Sequence, residues 1–352
     1  MNYKNVHIDA MGYELAPVVV TSSELEARIA PLYERLRIAP GQLEALTGIA
    51  ERRWWHENYP LSEGAAAAAR KALAKSNVGA ADIQTLIYAG VCRENFEPAT
   101  ACAVASHLNI APNAFVYDIS NACLGVLNGI IDIANRIELG QISAGMVVSC
   151  ESAREINDVM IGKMLANPTM SMFTQSLATL TGGSGAVAVI LTHKSFAGEK
   201  RRRLVGGVAH AAPEHHQLCR WGTAPDPATT AAPHSVSQFM TTDSVSVLKY
   251  GVELGTRTWR DFLRTVDWTP QQVDKIICHQ VGTGHRSTIL KQIDIPAEKD
   301  FSTFSYLGNI GTVSLPLTAA LAEQRHFLKP GDRVGFLGIG SGLNCLMLGW
   351  EW

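Results

Sequence analysis

Cys123 sits where a thiol could act as a nucleophile. It lies in DISNACLGVLNG (118–129), after the strand-like run AFVYDIS (114–120). Ahead of it Leu124, Leu127, Ile130 or Ile131, Ala134 and Ile137 share one helical face up to Gly140. A strand-to-helix turn aims backbone N–H groups and the positive end of the helix dipole at the sulfur. That predicts a thiolate favoured below the usual pKa of ~8.5 and a cradle for the oxyanion of an attacked carbonyl. Ala122 and Gly125 leave room for a substrate to approach. The ordinary alternative is a cysteine that merely packs.

A partner base would separate the two readings. Among eleven histidines, His279 ends the apolar strand KIICHQ and precedes a turn, VGTG. The carboxyl end of a strand faces the crevice where α/β proteins place ligands. Thirty residues later comes Asn309, in YLGNIGTVSLP. Gly308 and Gly311 around it predict a tight loop that aims the amide inward. His215, His216 and His285 lack this context and read as surface or lid residues. Cys, His, Asn is also the chain order of papain-like proteases, but there is no secretory signal or CGSCW-like surround, and the cysteine follows a buried strand.

The elements that must position these residues occur in two similar sets. An Ala-rich helix (62–76) precedes the strand DIQTLIYAG (82–90), and a helix at 249–266 precedes DKIICHQVG (274–282). Each set closes with a glycine-serine-glycine turn entering an apolar strand, GGSGAVAVIL (182–191) and GIGSGLNCLML (338–348). Two pseudo-equivalent α/β halves, 1–192 and 193–352, follow from this duplication, since solenoid repeats are shorter and more numerous. Continuous apolar strands such as GMVVSCE (145–151) and RVGFLGIG (333–340) predict sheets covered by helices on both faces. The polar stretch 209–243 reads as an irregular surface insertion or lid.

Composition narrows the function classes. The 352 residues are 47% apolar and 18% charged, with a net charge of -2, so neither nucleic acid nor an anionic membrane is indicated as a partner. The short basic run GEKRRRL (198–204) reads as a solvated loop flank. Seven scattered cysteines without CxxC spacing point to a reducing compartment. The amino-terminal stretch has no signal-like pattern and no window approaches a membrane span, so a cytoplasmic location is expected.

Taken together, RENFEPATA (93–101), DISNACLG (118–125), ICHQVG (277–282), YLGNIGTVSLP (306–316) and GIGSGLN (338–344) resemble the thiolase superfamily, in its ketoacyl synthase III branch. The resemblance spans nearly the whole chain. Within the branch NACL, GNIG and EPATA are most similar to the olefin-biosynthesis thiolases, which join two acyl chains head to head. It implies a five-layered αβαβα fold from two duplicated halves, a homodimer, and a Cys123–His279–Asn309 triad. Glu97, which bare sequence would leave as a solvated charge before a proline, becomes an α-carbon base reaching the neighbouring subunit's site. In starter-type synthases that position is apolar. The backbone amides of Cys123 and Ser341 would form the oxyanion hole.

The implied substrates are fatty acyl thioesters of coenzyme A or of acyl carrier protein, with no metal or redox cofactor. Starter-type synthases grip the adenine nucleotide of coenzyme A with a tryptophan and an arginine; here those positions read as Gln42 and Leu46, which leaves the carrier open. Three functions are compatible: non-decarboxylative Claisen condensation of two acyl thioesters, decarboxylative condensation with a malonyl thioester, and a non-catalytic acyl-binding subunit of thiolase fold. The methionines of MIGKMLANPTMSMF (160–173) would suit a pocket for flexible chains, or simply fill the core.

Overall fold

The apolar runs become strands buried on both faces. A computed structural model describes residues 1–196, 202–225 and 236–352. Its strands are β1 (Val6–Leu15), β2 (Val18–Thr21), β3 (Glu51–Trp54), β4 (Thr85–Ala89), β5 (Phe115–Ile119), β6 (Ala144–Glu151), β7 (Gly185–His193), β8 (Arg202–Ala211), β9 (Cys219–Pro225), β10 (Val236–Thr242), β11 (Lys275–Cys278), β12 (Arg333–Gly340) and β13 (Asn344–Glu351). Nine of them form one sheet in the order β11-β12-β13-β8-β1-β7-β6-β4-β5, while β2 pairs with β3 and β9 with β10.

That order is one pattern used twice. Strand β1 is antiparallel to β7, β7 to β6, and β6 is parallel to β4. The strands β8, β13, β12 and β11 repeat those relations. The copies meet where His7 and Ile8 of β1 pair with Arg203 and Arg202 of β8. The first copy carries a further strand, β5, parallel to β4 at the sheet's edge.

Alternate residues on each strand feed different cores, which is why the sequence shows no polar face. Val147 of β6 and Phe336 of β12 join a central cluster with Leu127 and Ile130 of the helix Gly125–Glu138 and with Leu317 and Leu321 of the helix Ser314–Gln324. Met146 and Val148 face outward onto the alanines of the helix Leu61–Leu73. That helix lies so close that a Cβ at Gly12 would overlap the Ala68 carbonyl. Leu337 and Met347 face outward onto Trp259 and Phe262 of the helix Ser244–Val266. The two halves of the continuous sheet thus enclose the central helices and carry helices on their outer faces, giving the alternation helix, half-sheet, helix, half-sheet, helix expected of the five-layered arrangement.

Two sequence expectations are corrected. In the basic run, 198–201 lie outside the described residues, but Arg202 and Arg203 open β8 rather than flank a loop. Arg202 is buried, pairs with Glu323 at 2.8 Å and donates to the Asp9 carbonyl; Arg203 pairs with Glu351 at 2.7 Å. The stretch 209–243 is more regular than expected where it is described: β9 and β10 pair from Cys219↔Thr242 to Pro225↔Val236. Lys163 fastens that ribbon to the helix Arg154–Ala166 by donating to Ser237 Oγ and the Gln238 carbonyl. Residues 226–235 lie outside the described ones. The expected 192/193 boundary falls at the end of β7.

Candidate active site

Cys123 occupies the turn between β5 and the helix Gly125–Glu138, as its flanking pattern predicts. The end of β12 presses on it: a Cβ at Gly340 would lie 3.3 Å from the Cys123 backbone nitrogen. Asn344 Nδ2 then donates to Asn121 Oδ1 at 3.2 Å and to the Ser341 carbonyl at 3.4 Å, so the Ser341 turn and the cysteine turn are stitched together. The predicted acidity of the thiol is overturned. Enclosure pushes Cys123 up to about 12, nearby Cys219 and Glu151 add to this, and its own backbone N–H opposes it. Desolvation of a thiolate outweighs a helix terminus here.

His279 follows the last residue of β11, and its N–H donates to the Leu337 carbonyl of β12 at 2.9 Å. Burial first, then the neighbouring His285, lower its imidazole to about 4. It is neutral at pH 7, and its Nδ1 has no hydrogen-bond partner among the described residues. Asn309 lies in the glycine-flanked turn as expected, with positive φ at Gly308 (69°) and Gly311 (55°). Its Oδ1 accepts the Gly311 N–H at 3.0 Å, which leaves Nδ2 as the outward donor. Thr312 Oγ1 accepts the Val126 N–H at 2.7 Å, locking this turn onto the first residues of the Cys123 helix. Cys123 thus lies against the end of β12 and His279 follows the end of β11, while the Asn309 turn is held by the 181–183 segment ahead of β7 and by the start of the Cys123 helix.

Glu97 is placed differently. It is exposed, on the loop between β4 and the helix Thr100–Leu108, beside a fully exposed Phe96. Asp118 holds the far end of that loop by accepting the N–H groups of Thr100 and Ala101 at 2.9 and 2.8 Å. The loop and the ribbon residue Trp221 line a groove of about 1250 Å³.

Comparison with known proteins matches this geometry to a family. Residues 263–352 fit the family model for the 3-oxoacyl-[acyl-carrier-protein] synthase III C terminal. The chain is 58% identical to an acyl-CoA:acyl-CoA alkyltransferase of Shewanella oneidensis, covering 100% of both chains. It is 33% identical to the acyl-CoA:acyl-CoA alkyltransferase of Xanthomonas campestris pv. campestris, again over 100% of both. The chain belongs to this alkyltransferase family. A crystal structure of Xanthomonas campestris OleA, a cysteine-to-serine variant with bound lauric acid and lauroyl-CoA, superposes with a TM-score of 0.91 at 32% identity, covering 99% of this chain and 100% of that one.

Two residues near the site were not anticipated from the sequence. His285, expected at the surface or in a lid, lines a cavity of about 60 Å³ with His279, Val281 and Ile289, and burial lowers its pKa too. Glu151 closes β6 as a buried acid whose field reaches Cys123. Its signal was the one that exposed His279, a titratable residue ending an apolar strand. Gln42 and Leu46, at the nucleotide-grip positions, lie on the helix Gln42–Thr47, half-buried and exposed respectively. Met160 and Met164 are core residues. No helix among the described residues is long and apolar enough to cross a membrane.

Proposed function

We propose that the protein condenses two fatty acyl-CoA molecules head to head, without decarboxylation, through an acyl-Cys123 intermediate. The observation that carries this reading is full-length similarity, at 58% and 33% identity, to two acyl-CoA:acyl-CoA alkyltransferases, in a chain whose Cys123 lies at a strand-to-helix turn backed by Gly340. The Cys123 thiol attacks the first thioester carbonyl, and coenzyme A departs with the proton as its free thiol. The N–H groups of Cys123 and Ser341 hold the transient oxyanion.

The second acyl-CoA binds with its carbonyl oxygen against Asn309 Nδ2 and an N–H of the neutral His279. The partner subunit's Glu97 takes a proton from the α-carbon. The resulting enolate carbon bonds to the acyl-Cys123 carbonyl, the cysteine sulfur leaves and recovers a proton, and a 2-alkyl-3-ketoacyl thioester, or its acid after hydrolysis, is released. A homodimer is supported by two features: β5 is an unpaired edge with Phe115 exposed, and Glu97 and Phe96 project into solvent from one chain. We read residues 1–192 and 193–352 as the duplicated halves and the cytoplasm as the compartment. Coenzyme A is the favoured carrier, with acyl carrier protein as the second donor to try.

The test is incubation with lauroyl-CoA alone, the thioester found in the Xanthomonas structure. A 2-alkyl-3-keto product and an acyl adduct on Cys123 are expected. Dependence on a malonyl donor with release of carbon dioxide would overturn the non-decarboxylative reading. Acyl binding without adduct or turnover would instead favour a non-catalytic subunit.

A further inference from the structure

Glu151 has no part in the reaction just described, yet it touches two pieces of it. The residue is 4% exposed and pairs with no cation among the described residues. Its Oε1 accepts the Val91 N–H at 2.9 Å and its Oε2 the Cys92 N–H at 3.1 Å. Two adjacent peptide donors gripped by the two carboxyl oxygens fix both the position and the tilt of the backbone. Val91 and Cys92 are the root of the loop that carries Glu97. That root is held again from below, where Tyr88 Oη donates to the Cys92 carbonyl at 2.8 Å and the Cys150 carbonyl at 2.7 Å.

On its other side the same carboxylate backs the Asn309 turn. A Cβ on Gly311 would lie 3.5 Å from Glu151 Oε1, and Gly311 itself donates to Asn309 Oδ1. One buried carboxyl group, its pKa raised by desolvation against the lowering effect of the Val91 and Cys92 N–H groups, thus sits between the loop bearing the base and the turn bearing the enolate-binding amide. Nothing comparable links it to the Ser341 turn, which Gly340 and Asn344 position from β12 and β13.

We propose that Glu151 is a positioning residue for carbon–carbon bond formation, setting the Glu97 loop of its own chain at the height at which Glu97 reaches the partner's site. This rests on the reading of Glu97 as a base delivered across a dimer. A displacement of the base by about 1 Å is enough to cost on the order of 10²-fold in rate. Acylation of Cys123 precedes any α-proton transfer and needs no Glu97.

In the homodimer, Glu151→Gln replaces one acceptor oxygen by an amide NH2 that cannot accept a peptide N–H. Acyl-Cys123 should still form and should accumulate, while condensation falls on the order of 10²-fold. The direction of the effect is read in mixed dimers. A Cys123→Ala chain supplies Glu97 but has no nucleophile; a Glu97→Gln chain has the nucleophile but supplies no base. In that pair a single site can turn over, using the Cys123 of one chain and the Glu97 of the other. Glu151→Gln added to the Cys123→Ala chain should lower condensation about tenfold more than the same change added to the Glu97→Gln chain. Equal losses from both placements, or no loss from the first, overturn the positioning role. A parent pair that acylates Cys123 but does not condense overturns the shared-site reading instead, and the inference falls with it. If Glu151→Gln melts below the assay temperature, Glu151→Asp, which keeps the charge and shortens the reach, is carried through the same pairs with a smaller loss expected.

Discussion

The two glycine-serine-glycine turns come from equivalent places in the duplicated halves, and each grips a reacting segment of the opposite half. The 183–185 turn of the first half, with the residues just ahead of it, clamps the Asn309 turn of the second: the Gly183 N–H donates to the Asn309 carbonyl at 2.9 Å and the Asn309 N–H to the Thr181 carbonyl at 2.9 Å. The 340–342 turn of the second half abuts the Cys123 turn of the first through van der Waals approach and the Asn344 side chain. One clamp is made of backbone hydrogen bonds, the other of close contact beside an N–H. The difference fits two jobs. In the proposed mechanism, the amide that holds an enolate must be aimed, whereas the turn beside the nucleophile must keep donors available to a transient oxyanion. Each half alone has half a site.

Breaking the comparison outright takes the nucleophile. Cys123→Ala should abolish acylation while leaving melting behaviour intact, since a small residue suits the turn; mass spectrometry for the acyl adduct checks it, and full turnover by that variant would end the mechanism. Next in size, Glu97→Gln removes the proton acceptor and keeps the shape. Condensation should fall by the ~10² to 10⁴-fold typical of a lost general base, with stable acyl-Cys123 accumulating because the first step is untouched. Condensation at the parent rate would make malonyl-dependent chemistry the better reading.

The clamps themselves can be compared with one methyl group each. A Cβ at Gly183 would overlap the Leu307 carbonyl, which is backbone and cannot swing aside, while a Cβ at Gly340 meets Cys123 N and Leu124 Cγ at 3.3 Å. Gly183→Ala should therefore destabilise the fold by about 1–3 kcal/mol, as overpacking does, and should slow condensation more than acylation. Gly340→Ala should cost less stability and show the opposite split, slowing acylation. Denaturant melts with single-turnover acylation rates measure both. The same split in both variants would mean that the two turns do not divide the chemistry.

The sequence carried the architecture further than the electrostatics. Strands covered on both faces leave unbroken apolar runs, so GMVVSCE and RVGFLGIG were readable as central strands, and the repeat of helix, strand and turn made the duplication visible. The turn position of Cys123 was readable for the same reason, but its ionisation was not. Its pKa depends first on burial by the folded chain and then on the charges of Cys219 and Glu151, neither of them a sequence neighbour. Glu151 was hidden at the end of a run read only as strand. The β9–β10 ribbon was read as irregular because its support, Lys163, lies far away in the chain. Arg202 looked solvated because Glu323 and the Asp9 carbonyl, which make its burial tolerable, come from distant segments.

At neutral pH the smallest effect comes from His279, and it appears on acidification. Its folded pKa of about 4 lies below the ordinary 6.5, chiefly because burial disfavours the imidazolium. The unfolded chain therefore binds this proton more tightly than the folded one. Stability is fully present above about pH 6.5 and is lost progressively as the pH falls toward about 4. The loss is bounded by ~1.4 kcal/mol per unit over the 2.5 units between 6.5 and about 4, hence at most about 3.5 kcal/mol. His285 adds in the same direction, since burial lowers it too. Replacing His279 with asparagine keeps a polar side chain and removes the titration, so the variant's urea midpoint should fall less between pH 6.5 and 4 than the parent's. The two curves should run parallel above pH 7, where neither protein carries charge at this position. Parallel curves across the whole range would mean that His279 is not enclosed as described. The imidazole would then titrate near its ordinary ~6.5 and be partly protonated at the second thioester just below neutral pH, instead of staying neutral down to about pH 4.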